Sequence, residues 1–391
     1  MDADVVVIGG GPVGATLGLL LSRTGRRVTV LEAAALPRDK PCGEGLLPSG
    51  ARVLAAAGVD LAAEGFPRVE AVRYRLGGAG ASVRGDLVRG PAYGVRRLRL
   101  DALLASRAAG APGVTFVCGC AATGVAVGRS GVRVETSRGP VDARALVAAD
   151  GLRSAVAPWL GWSAPVGRPR RARYALVGHV AADPGALRDE IVVTLLGEVE
   201  TYAAPAGAGE VLIAVLGSRG ALRRPGRSVA ESYAETVARA HPAFADAPLS
   251  GPVRGAGPFW TGPRRVAGGR AFLAGDAAGF LDPLTGDGLT AGLTQAATLA
   301  GLLSPSRDLS DARAVDAAAA QYGRWRAHQW RRRQVVTALA LTLTGSTSLA
   351  TRAMRGVTRR PTALQSLLEV NDGTRSLTGV SPRDWAALAG F

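Results

Sequence analysis

The chain has 391 residues, which predicts two or three domains and a core large enough to leave a cleft between them. Hydrophobic residues make up 47% of the chain and charged residues 20%, a globular composition that excludes a disordered, collagen-like or coiled-coil chain. The formal net charge is +16 and would attract nucleic acid, anionic lipid or a phosphorylated cofactor. No zinc-finger spacing, aromatic stacking motif or dense basic arm accompanies this charge, so we expect no nucleic-acid partner.

Signals for export, disulfides and membrane spans are lacking in the sequence. The N-terminus has neither the basic leader nor the cleavage site of a signal peptide. The three cysteines, Cys42, Cys118 and Cys120, can form neither a disulfide framework nor a complete zinc site. The longest uncharged run outside the strand and turn patterns covers residues 335–350, fewer than the ~20 residues that a spanning helix needs. We therefore expect a cytoplasmic protein without a bound metal.

The beginning of the chain has the pattern of a βαβ unit. β-Branched residues at 5–8 predict a strand, residues 15–24 an apolar helix and residues 27–31 a second strand. Between the first strand and the helix, GGGPVG at 9–14 has G-x-G-x-x-G spacing, which allows a tight turn, close approach of a pyrophosphate and helix–strand packing. A carboxylate at the end of the second strand can accept both hydroxyls of a ribose. The predicted nucleotide-binding residues here are Gly9, Gly11, Pro12, Gly14, Glu32 and Arg38.

Strand patterns that match this unit recur far along the chain, near residues 132–136, 145–149 and 270–274. The stretches between them alternate apolar and polar residues, which is typical of antiparallel sheet, and the chain beyond residue 310 has a helical pattern. We therefore predict an α/β protein with a Rossmann-like, three-layer, discontinuous nucleotide-binding domain, a second antiparallel-sheet domain for the substrate, and C-terminal helices. The predicted boundaries are 1–65, 94–163 and 262–309 for the first domain, 66–93 and 164–261 for the second, and 310–391 for the helical region.

Two further motifs lie downstream of the glycine turn. They are VAADGLRS at 147–154 and AFLAGDAAGFLDPLTGDG at 271–288. In this order and spacing the three motifs resemble those of FAD-containing aromatic hydroxylases, the family of para-hydroxybenzoate hydroxylase, which also includes geranylgeranyl reductases and flavin-dependent halogenases. The resemblance implies that FAD lies across the sheet, that Asp276 binds its ribityl chain, and that Asp150 acts mainly through its turn.

The resemblance also implies residues around the flavin ring. RLRLD at 97–101 is similar to the family's helix start, whose arginine reaches the cofactor; a solvated basic helix is the alternative. Gly286 and Gly288 would let backbone approach a flat ring, and a helix beginning near Leu289 would direct its positive end at the flavin pyrimidine. The cofactor-binding residues that the motifs imply are Arg97, Asp150, Asp276, Pro283, Gly286 and Gly288.

The sequence contains no second G-x-G-x-x-G unit that could hold a nicotinamide permanently. If NAD(P)H reduces the flavin, it must therefore visit the site as a transient reductant, as the resemblance to single-component hydroxylases implies.

The loop PCGEGLLP at 41–48 resembles the CGxG loop of geranylgeranyl reductases, which runs beside the flavin. Cys42 could tune the ring or simply be a small buried residue, because free cysteine is commonly part of the core. We assign Gly43, Glu44 and Gly45 to the substrate pocket.

The segment ETYAAP at 200–205 departs from the Y-x-W-x-F-P signature of those reductases. Tyr202 and Ala204 stand where the reductases have tryptophan and phenylalanine, which predicts a wider space above the flavin, and we add Tyr202 and Pro205 to the pocket. The same segment lacks the halogenase W-x-W-x-I-P element. These departures favour oxygen insertion over double-bond reduction.

The function expected from the sequence is that of an FAD-dependent monooxygenase, which inserts one oxygen atom from O2 into a hydrophobic aromatic, phenolic-lipid or polyketide intermediate at the expense of NAD(P)H. A flavin-dependent reductase of isoprenoid double bonds is the alternative, and a basic non-enzymatic binding protein is a second one. Tyr202, His179 and Cys42 are candidate catalytic helpers, each with a structural role as its alternative, and no general base is assigned.

The C-terminal region places apolar residues between two arginine clusters, at 331–333 and 352–360. A helix of this kind can lie on an anionic membrane or pack on the protein's own core with a solvated arginine face. The first interpretation predicts peripheral membrane contact and a hydrophobic substrate.

Overall fold

The computed structural model describes residues 1–77, 81–164, 172–224 and 226–391. The predicted boundary between residues 163 and 164 adjoins a stretch, 165–171, that lies outside the described residues. Residues 78–80 and 225, within the predicted second domain, lie outside them as well.

The described residues form strands and helices that we number in chain order. The strands are β1 (Ala3–Ile8), β2 (Val28–Glu32), β3 (Gly45–Leu46), β4 (Arg68–Val69), β5 (Ala71–Leu76), β6 (Ser82–Asp86), β7 (Ala92–Gly94), β8 (Val114–Cys118), β9 (Ala122–Val127), β10 (Val132–Thr136), β11 (Val141–Ala148), β12 (Arg173–Ala181), β13 (Glu190–Leu195), β14 (Val199–Gly207), β15 (Glu210–Ser218), β16 (Arg254–Ala256), β17 (Ala267–Gly268) and β18 (Ala271–Leu273). The helices are α1 (Pro12–Ser22), α2 (Pro48–Ala56), α3 (Arg97–Ala109), α4 (Val156–Trp159), α5 (Arg219–Leu222), α6 (Val229–Ala240), α7 (Gly288–Leu302), α8 (Ala312–Thr344), α9 (Thr347–Arg359), α10 (Thr362–Asp372) and α11 (Pro382–Leu388).

The first sheet has the strand order β17-β18-β11-β1-β2-β8, extended by β10 and β9. Strand β1 pairs in parallel with β11 and β2, and β11 pairs in parallel with β18. Val5 and Val7 face α1, α7 and α8, whereas Val6 and Ile8 face β10 and α4. A strand covered on both faces needs apolar residues at successive positions, which explains the continuous β-branched run at 5–8. The domain therefore has three layers.

The second sheet has the order β16-β12-β15-β14-β13-β5-β6. Its pairs are antiparallel except for β13 and β5, which run parallel, so the expectation of a purely antiparallel sheet is wrong at this one junction. Strands β5 and β13 are separated in the chain by much of the first domain, and without a hairpin between them nothing requires opposite directions. One face of the sheet packs on α6 through Tyr233 and Val237.

A short three-stranded sheet, β3-β7-β4, contacts α7 of the first domain and β14 of the second sheet. In it Gly45 and Leu46 of β3 pair with Gly94 and Tyr93 of β7. The CGEG loop is thereby fixed between the two domains.

The C-terminal helices pack on both domains. The first half of α8 covers the first sheet through Val315 and Tyr322, whereas Met354 of α9 and Leu364 of α10 pack against β5, β6 and β13. The apolar residues at 335–350 are divided by the break between α8 and α9 and partly turn inward. Among the described helices none is long and apolar enough to cross a membrane.

Candidate functional site

The glycine turn connects β1 to α1. Gly9 has a φ of +105°, and a Cβ on it would collide with the Ala149 carbonyl, while a Cβ on Gly14 would collide with the Gly9 carbonyl. Gly11 differs, because a Cβ built on it would meet no protein atom within 4 Å. The N-terminus of α1, with Pro12 in its first turn, carries no side-chain cap, so its amides face the open space beside Gly11. This geometry suits a pyrophosphate.

Glu32 lies at the end of β2, beside the glycine turn at 9–14. Its carboxylate accepts hydrogen bonds from the Gly10 amide at 2.8 Å and from the Ala34 amide at 3.0 Å. The Arg38 guanidinium lies 3.3 Å from the same carboxylate, and its buried Nε has no partner among the described residues. An anionic or hydroxyl-bearing ligand could satisfy this nitrogen.

Lys40 is the cation that the sequence analysis missed. Its ammonium lies about 4.0 Å from the position of a Cβ on Gly151, in the turn of the second motif. Burial lowers the pKa of Lys40, and the charges of Arg38 and Arg97 lower it further. Lys40 thus lies near two other cations, and this positive charge favours an anionic ligand.

Asp150 stabilises its own turn. Its Oδ2 accepts a hydrogen bond from the Ala155 amide at 2.8 Å, just ahead of α4, and its Oδ1 is buried without a partner among the described residues. The side chain therefore shapes the loop that lies next to Ala149 and Gly9.

The third motif contains three aspartates, of which two are engaged by arginines. Asp282 accepts a hydrogen bond from Arg173 of β12 at 2.8 Å, and Asp287 accepts one from Arg333 of α8 at 2.6 Å. None of the hydrogen bonds of the described residues involves the Asp276 carboxylate, and loss of hydration raises its pKa. Asp276 is therefore the aspartate of this motif that can bind a ligand hydroxyl.

The segment after Asp282 forms a tight turn that leads into α7. Pro283 begins the turn, Gly286 adopts a φ of +65°, and Gly288 is the first residue of α7. The N-terminus of α7 points out of this turn, where the helix dipole stabilises negative charge. This is the placement that the flavin pyrimidine would need.

Two arginines of α8 form hydrogen bonds with the third motif. Besides Arg333, Arg326 donates a hydrogen bond to the Ala278 carbonyl at 2.9 Å and stacks over Trp330 at 4.4 Å. Arg333 is 6% exposed, so this member of the 331–333 cluster pairs with the third motif and cannot reach a membrane. Its pairing with Asp287 had no local sequence signal, because the two residues are separated by most of α7 and α8.

Arg97 is the first residue of α3, and its side chain pairs with a carboxylate of the same helix. Its Nε and Nη2 donate to the Asp101 carboxylate at 2.7 and 2.8 Å. Burial disfavours the charged form, but the hydrogen bonds and charge of Asp101 outweigh it and raise the pKa of Arg97. The guanidinium also lies against the Cys42 thiol, so it contacts the CGEG loop.

The CGEG loop is pinned by Glu44. This residue has a φ of +55° and is 1% exposed. Its Oε1 accepts from the Arg97 amide at 2.8 Å and from Arg96 at 3.3 Å, and its Oε2 lies 2.9 Å from His179 Nε2. Glu44 thereby connects the loop to α3 and to β12, and the predicted candidates Glu44 and His179 form one pair.

Tyr202 of β14 stands over the loop. Its ring lies 3.7 Å from the Cβ positions of both Gly43 and Gly286, and its hydroxyl occupies the place that a side chain on Gly45 would fill. Burial raises the pKa of Tyr202, and the nearby Cys42 adds to this rise. Tyr202 is therefore a neutral hydrogen-bond donor between the two glycine segments.

Cys42 lies near this tyrosine, and Pro205 follows it in the same strand. Burial raises the pKa of the Cys42 thiol although Arg97 opposes the rise, and its sulfur accepts a hydrogen bond from the Glu44 amide at 3.4 Å. Pro205 is buried in β14 with its carbonyl against Gly94, so it supports the loop from the second sheet.

The face of the second sheet next to the motifs is an apolar wall. Leu152 of the second motif and Phe280 of the third pack against it, as does Tyr202. Ala204 is also buried, so this small residue does not by itself open the space that the sequence predicted. The buried residues of the apolar wall are Ala175, Val177, Ala206, Leu212, Ala214, Leu216 and Phe259.

These contacts place the site residues in two groups. The turn at 9–14, Glu32, Arg38, Lys40 and Asp150 lie around the end of β1, where we expect the adenosine diphosphate. The other group lies around the CGEG loop and the turn at 283–286, where we expect the flavin ring and its polyol chain, and it contains Cys42, Gly43, Glu44, Gly45, Arg97, His179, Tyr202, Asp276, Pro283, Gly286 and Gly288. An open cradle at Gly11, an unpaired Arg38 nitrogen and a free Asp276 carboxylate together fit FAD.

Comparisons with known proteins agree with this geometry. The model of a family described as FAD binding domain matches residues 2–324. The chain is 33% identical to a menaquinone reductase of Mycobacterium tuberculosis over 331 residues, which cover 79% of this chain and 78% of that protein. It is 30% identical to digeranylgeranylglycerophospholipid reductase 2 of Methanopyrus kandleri over 74% of each chain.

Solved structures show the same fold. A probable FAD-dependent monooxygenase from Pseudomonas aeruginosa superposes with a TM-score of 0.72 at 23% identity, over 88% of this chain and 95% of that one. The predicted α/β flavoprotein fold and the resemblance to the monooxygenase and geranylgeranyl reductase superfamily are confirmed. The chain belongs to the FAD-binding-domain family and is an FAD-dependent oxidoreductase.

Proposed function

We propose that the protein is a monooxygenase that inserts one oxygen atom from O2 into a hydrophobic aromatic, phenolic-lipid or polyketide intermediate, with NAD(P)H as the transient reductant. The observation that carries the proposal is the apolar wall beside the second and third motifs, in which Tyr202 is the polar group next to the two glycine segments. Pockets with apolar walls and few polar groups bind apolar molecules and orient them through those groups.

When bound, FAD supplies the redox chemistry, in which electrons from NAD(P)H reduce O2 so that one oxygen atom enters the product and the other leaves as water. The chain's own residues bind and orient the substrate and exclude water. Tyr202 stays neutral because its pKa is raised, so it can donate a hydrogen bond to a polar group on the substrate ring. His179 is held by Glu44 and serves to fix the loop.

Reduction of an isoprenoid double bond is the second candidate function. Two observations favour it: the similarity to the menaquinone reductase over 79% of this chain, and the loop that places Cys42 beside Tyr202. Addition of hydrogen across a double bond needs a proton as well as a hydride, and both side chains keep their protons because burial raises their pKa values. Either one could hold the proton beside the substrate.

Isotope labelling and exclusion of oxygen distinguish the two reactions. Purified holoenzyme is given NADH or NADPH, labelled O2 and either a long-chain alkylresorcinol or a menaquinone. Oxygen insertion predicts a resorcinol product that contains one labelled oxygen atom and no product without O2. A menaquinone that still carries two extra hydrogen atoms in its isoprenoid side chain after the quinol ring has been reoxidised in air, formed by dithionite-reduced enzyme under nitrogen and not by dithionite alone, would overturn the proposal in favour of the reductase.

Replacement of one hydroxyl tests the role of Tyr202. Tyr202→Phe should retain FAD and reduce turnover on the order of 10-fold, because a positioned donor is lost. Tyr233→Phe is the matched control, since the Tyr233 hydroxyl is also buried but bonds to the Ile213 carbonyl on the opposite face of the sheet. Equal turnover in the two variants would show that the Tyr202 hydroxyl plays no part in the reaction.

A further inference from the structure

An apolar cavity of about 100 Å³ lies between the C-terminal helices and the second sheet. Its wall is formed mostly by aliphatic side chains of α8, α9 and α10, such as Val336, Met354 and Leu364, and by Leu195 of β13. The lining has no charged side chain among the described residues. A cavity lined mostly by aliphatic side chains offers few partners to a polar ligand and suits a hydrocarbon chain.

The inner end of the cavity lies against the third motif. Leu284 and Thr285 line it, and they belong to the turn that begins at Pro283 and ends at Gly286. Gly286 is the glycine whose Cβ position lies 3.7 Å from the Tyr202 ring. A molecule whose reactive end lies beside Tyr202 could therefore extend into this cavity.

The outer end continues into a second, wider cavity of about 480 Å³. The two cavities share Leu195, Thr344 and Ala350 as lining residues. The wider one is also lined by Thr347 and Arg239, and Arg239 is its single charged residue in the part of the chain that the structure describes. The path thus becomes more polar near the break between α8 and α9.

We propose that the two cavities form one channel for the aliphatic tail of the substrate, which enters at the wide outer cavity and extends to the turn at 283–286. This inference rests on the proposed function for the identity of the reactive ring, but the channel would serve a tailed substrate in either reaction. Each methylene that the channel buries should strengthen binding roughly three- to four-fold until the channel is full.

A series of 5-alkylresorcinols, from methyl to pentadecyl, tests the channel in the holoenzyme. Binding is followed by displacement of the fluorescent fatty acid cis-parinaric acid, which requires no turnover. Wild type should bind longer homologues progressively more tightly. Ala340→Phe places a ring in the cavity and should weaken binding of the pentadecyl homologue at least tenfold, while the methyl homologue and the flavin spectrum stay unchanged.

Ala338→Phe is the matched control, because Ala338 is exposed on the same helix; it should bind like wild type. A second variant, Leu343→Ala, widens the cavity, so the homologue that binds most tightly should have a longer chain than in wild type. This variant tests the channel even if Ala340→Phe loses its flavin. Affinity that does not depend on chain length, or that the lining variants leave unchanged, would overturn the channel. Chain-dependent binding without turnover of any homologue would overturn the proposed function and leave the channel standing.

Discussion

The two sides of the flavin site keep their shape by different means. On the side of the third motif, buried ion pairs fix the shape of the site: Arg333 of α8 pairs with Asp287, and Arg173 of β12 pairs with Asp282. A buried charge that loses its partner is costly, because neither water nor the protein then stabilises it. This side should tolerate almost no change of its charged residues.

On the side of the second sheet, close packing of apolar side chains fixes the shape of the site. The apolar wall contains alanines at positions 175, 206 and 214 and makes its contact with the motifs through Leu152 and Phe280. Replacing one aliphatic side chain by another in such a wall lowers the free energy of unfolding only slightly when the side-chain volume is kept. From this comparison we expect changes on the first side to affect stability and cofactor binding and changes in the apolar wall to affect substrate choice, and the following predictions are ways to break that separation.

The largest effect is expected for Arg333→Ala. The substitution leaves the Asp287 carboxylate, which is 3% exposed, without its cation, and the free energy of unfolding should fall by about 3–5 kcal/mol. Urea denaturation followed by circular dichroism measures this loss. The double variant Arg333→Met with Asp287→Asn should recover most of it, because no charge is then left unpaired. Arg331→Ala, at an exposed position of the same helix, should have little effect, and an equal loss there would break the argument.

The role of Arg333 shows which part of the site the sequence could predict. Gly9, Gly14 and Glu32 were predictable, because a strand, a turn and a helix that are adjacent in the chain impose their own local requirements. Arg333 pairs with a residue in another segment, and in the sequence it belongs to a basic run that has the pattern of a surface. Nothing local distinguishes a buried arginine from an exposed one.

The second domain shows the same limit. The alternating patterns predicted its strands, but the parallel pairing of β5 with β13 depends on how two distant segments meet. Glu44 and His179 were each named as candidates, yet their contact at 2.9 Å joins residues that are far apart in the chain. The channel consists of ordinary aliphatic residues, which have no individual signal in a sequence.

Acid should weaken the second sheet through His241. This histidine is buried behind the sheet, where its Nε2 lies 2.8 Å from the Thr201 hydroxyl, and burial, with a smaller effect of Arg75, lowers its pKa from 6.5 to about 4. Between these two pH values the unfolded chain binds a proton that the folded chain does not. The protein therefore has its full stability above pH 6.5, and its free energy of unfolding should fall by about 3 kcal/mol as the pH drops to 4.

Urea denaturation at pH 7 and pH 4.5 measures this loss. His241→Asn should reduce the difference between the two pH values, whereas His328→Asn, at an exposed position, should leave it as in wild type. If all three proteins lose the same free energy, the acid sensitivity comes from other groups.

Gly11→Ala separates cofactor binding from stability. Gly11 has φ −69° and ψ −174°, a conformation that alanine adopts freely, and the added methyl meets no protein atom within 4 Å. The apoprotein should therefore unfold as wild type does. The methyl would occupy the space of the pyrophosphate, and the Kd for FAD should rise on the order of 100-fold, as measured by flavin fluorescence quenching. Gly220→Ala, where the methyl also meets no atom within 4 Å, should bind FAD normally.

The smallest effect concerns the outer surface of the channel helices. The apolar face of α9 packs on the protein's own core through Met354 and Val357, which leaves the exposed arginines 352, 355 and 359 as the groups that can contact an anionic membrane. We propose a peripheral contact of this kind, because the outer end of the channel lies at the start of the same helix. Each substitution of one of these arginines by glutamine should lower partition onto phosphatidylserine vesicles about fivefold at low salt. The same substitution at the exposed Arg129 or Arg188 should change it less. If partition is independent of salt, or equal in all variants, the contact does not use α9, and the substrate must reach the channel from solution.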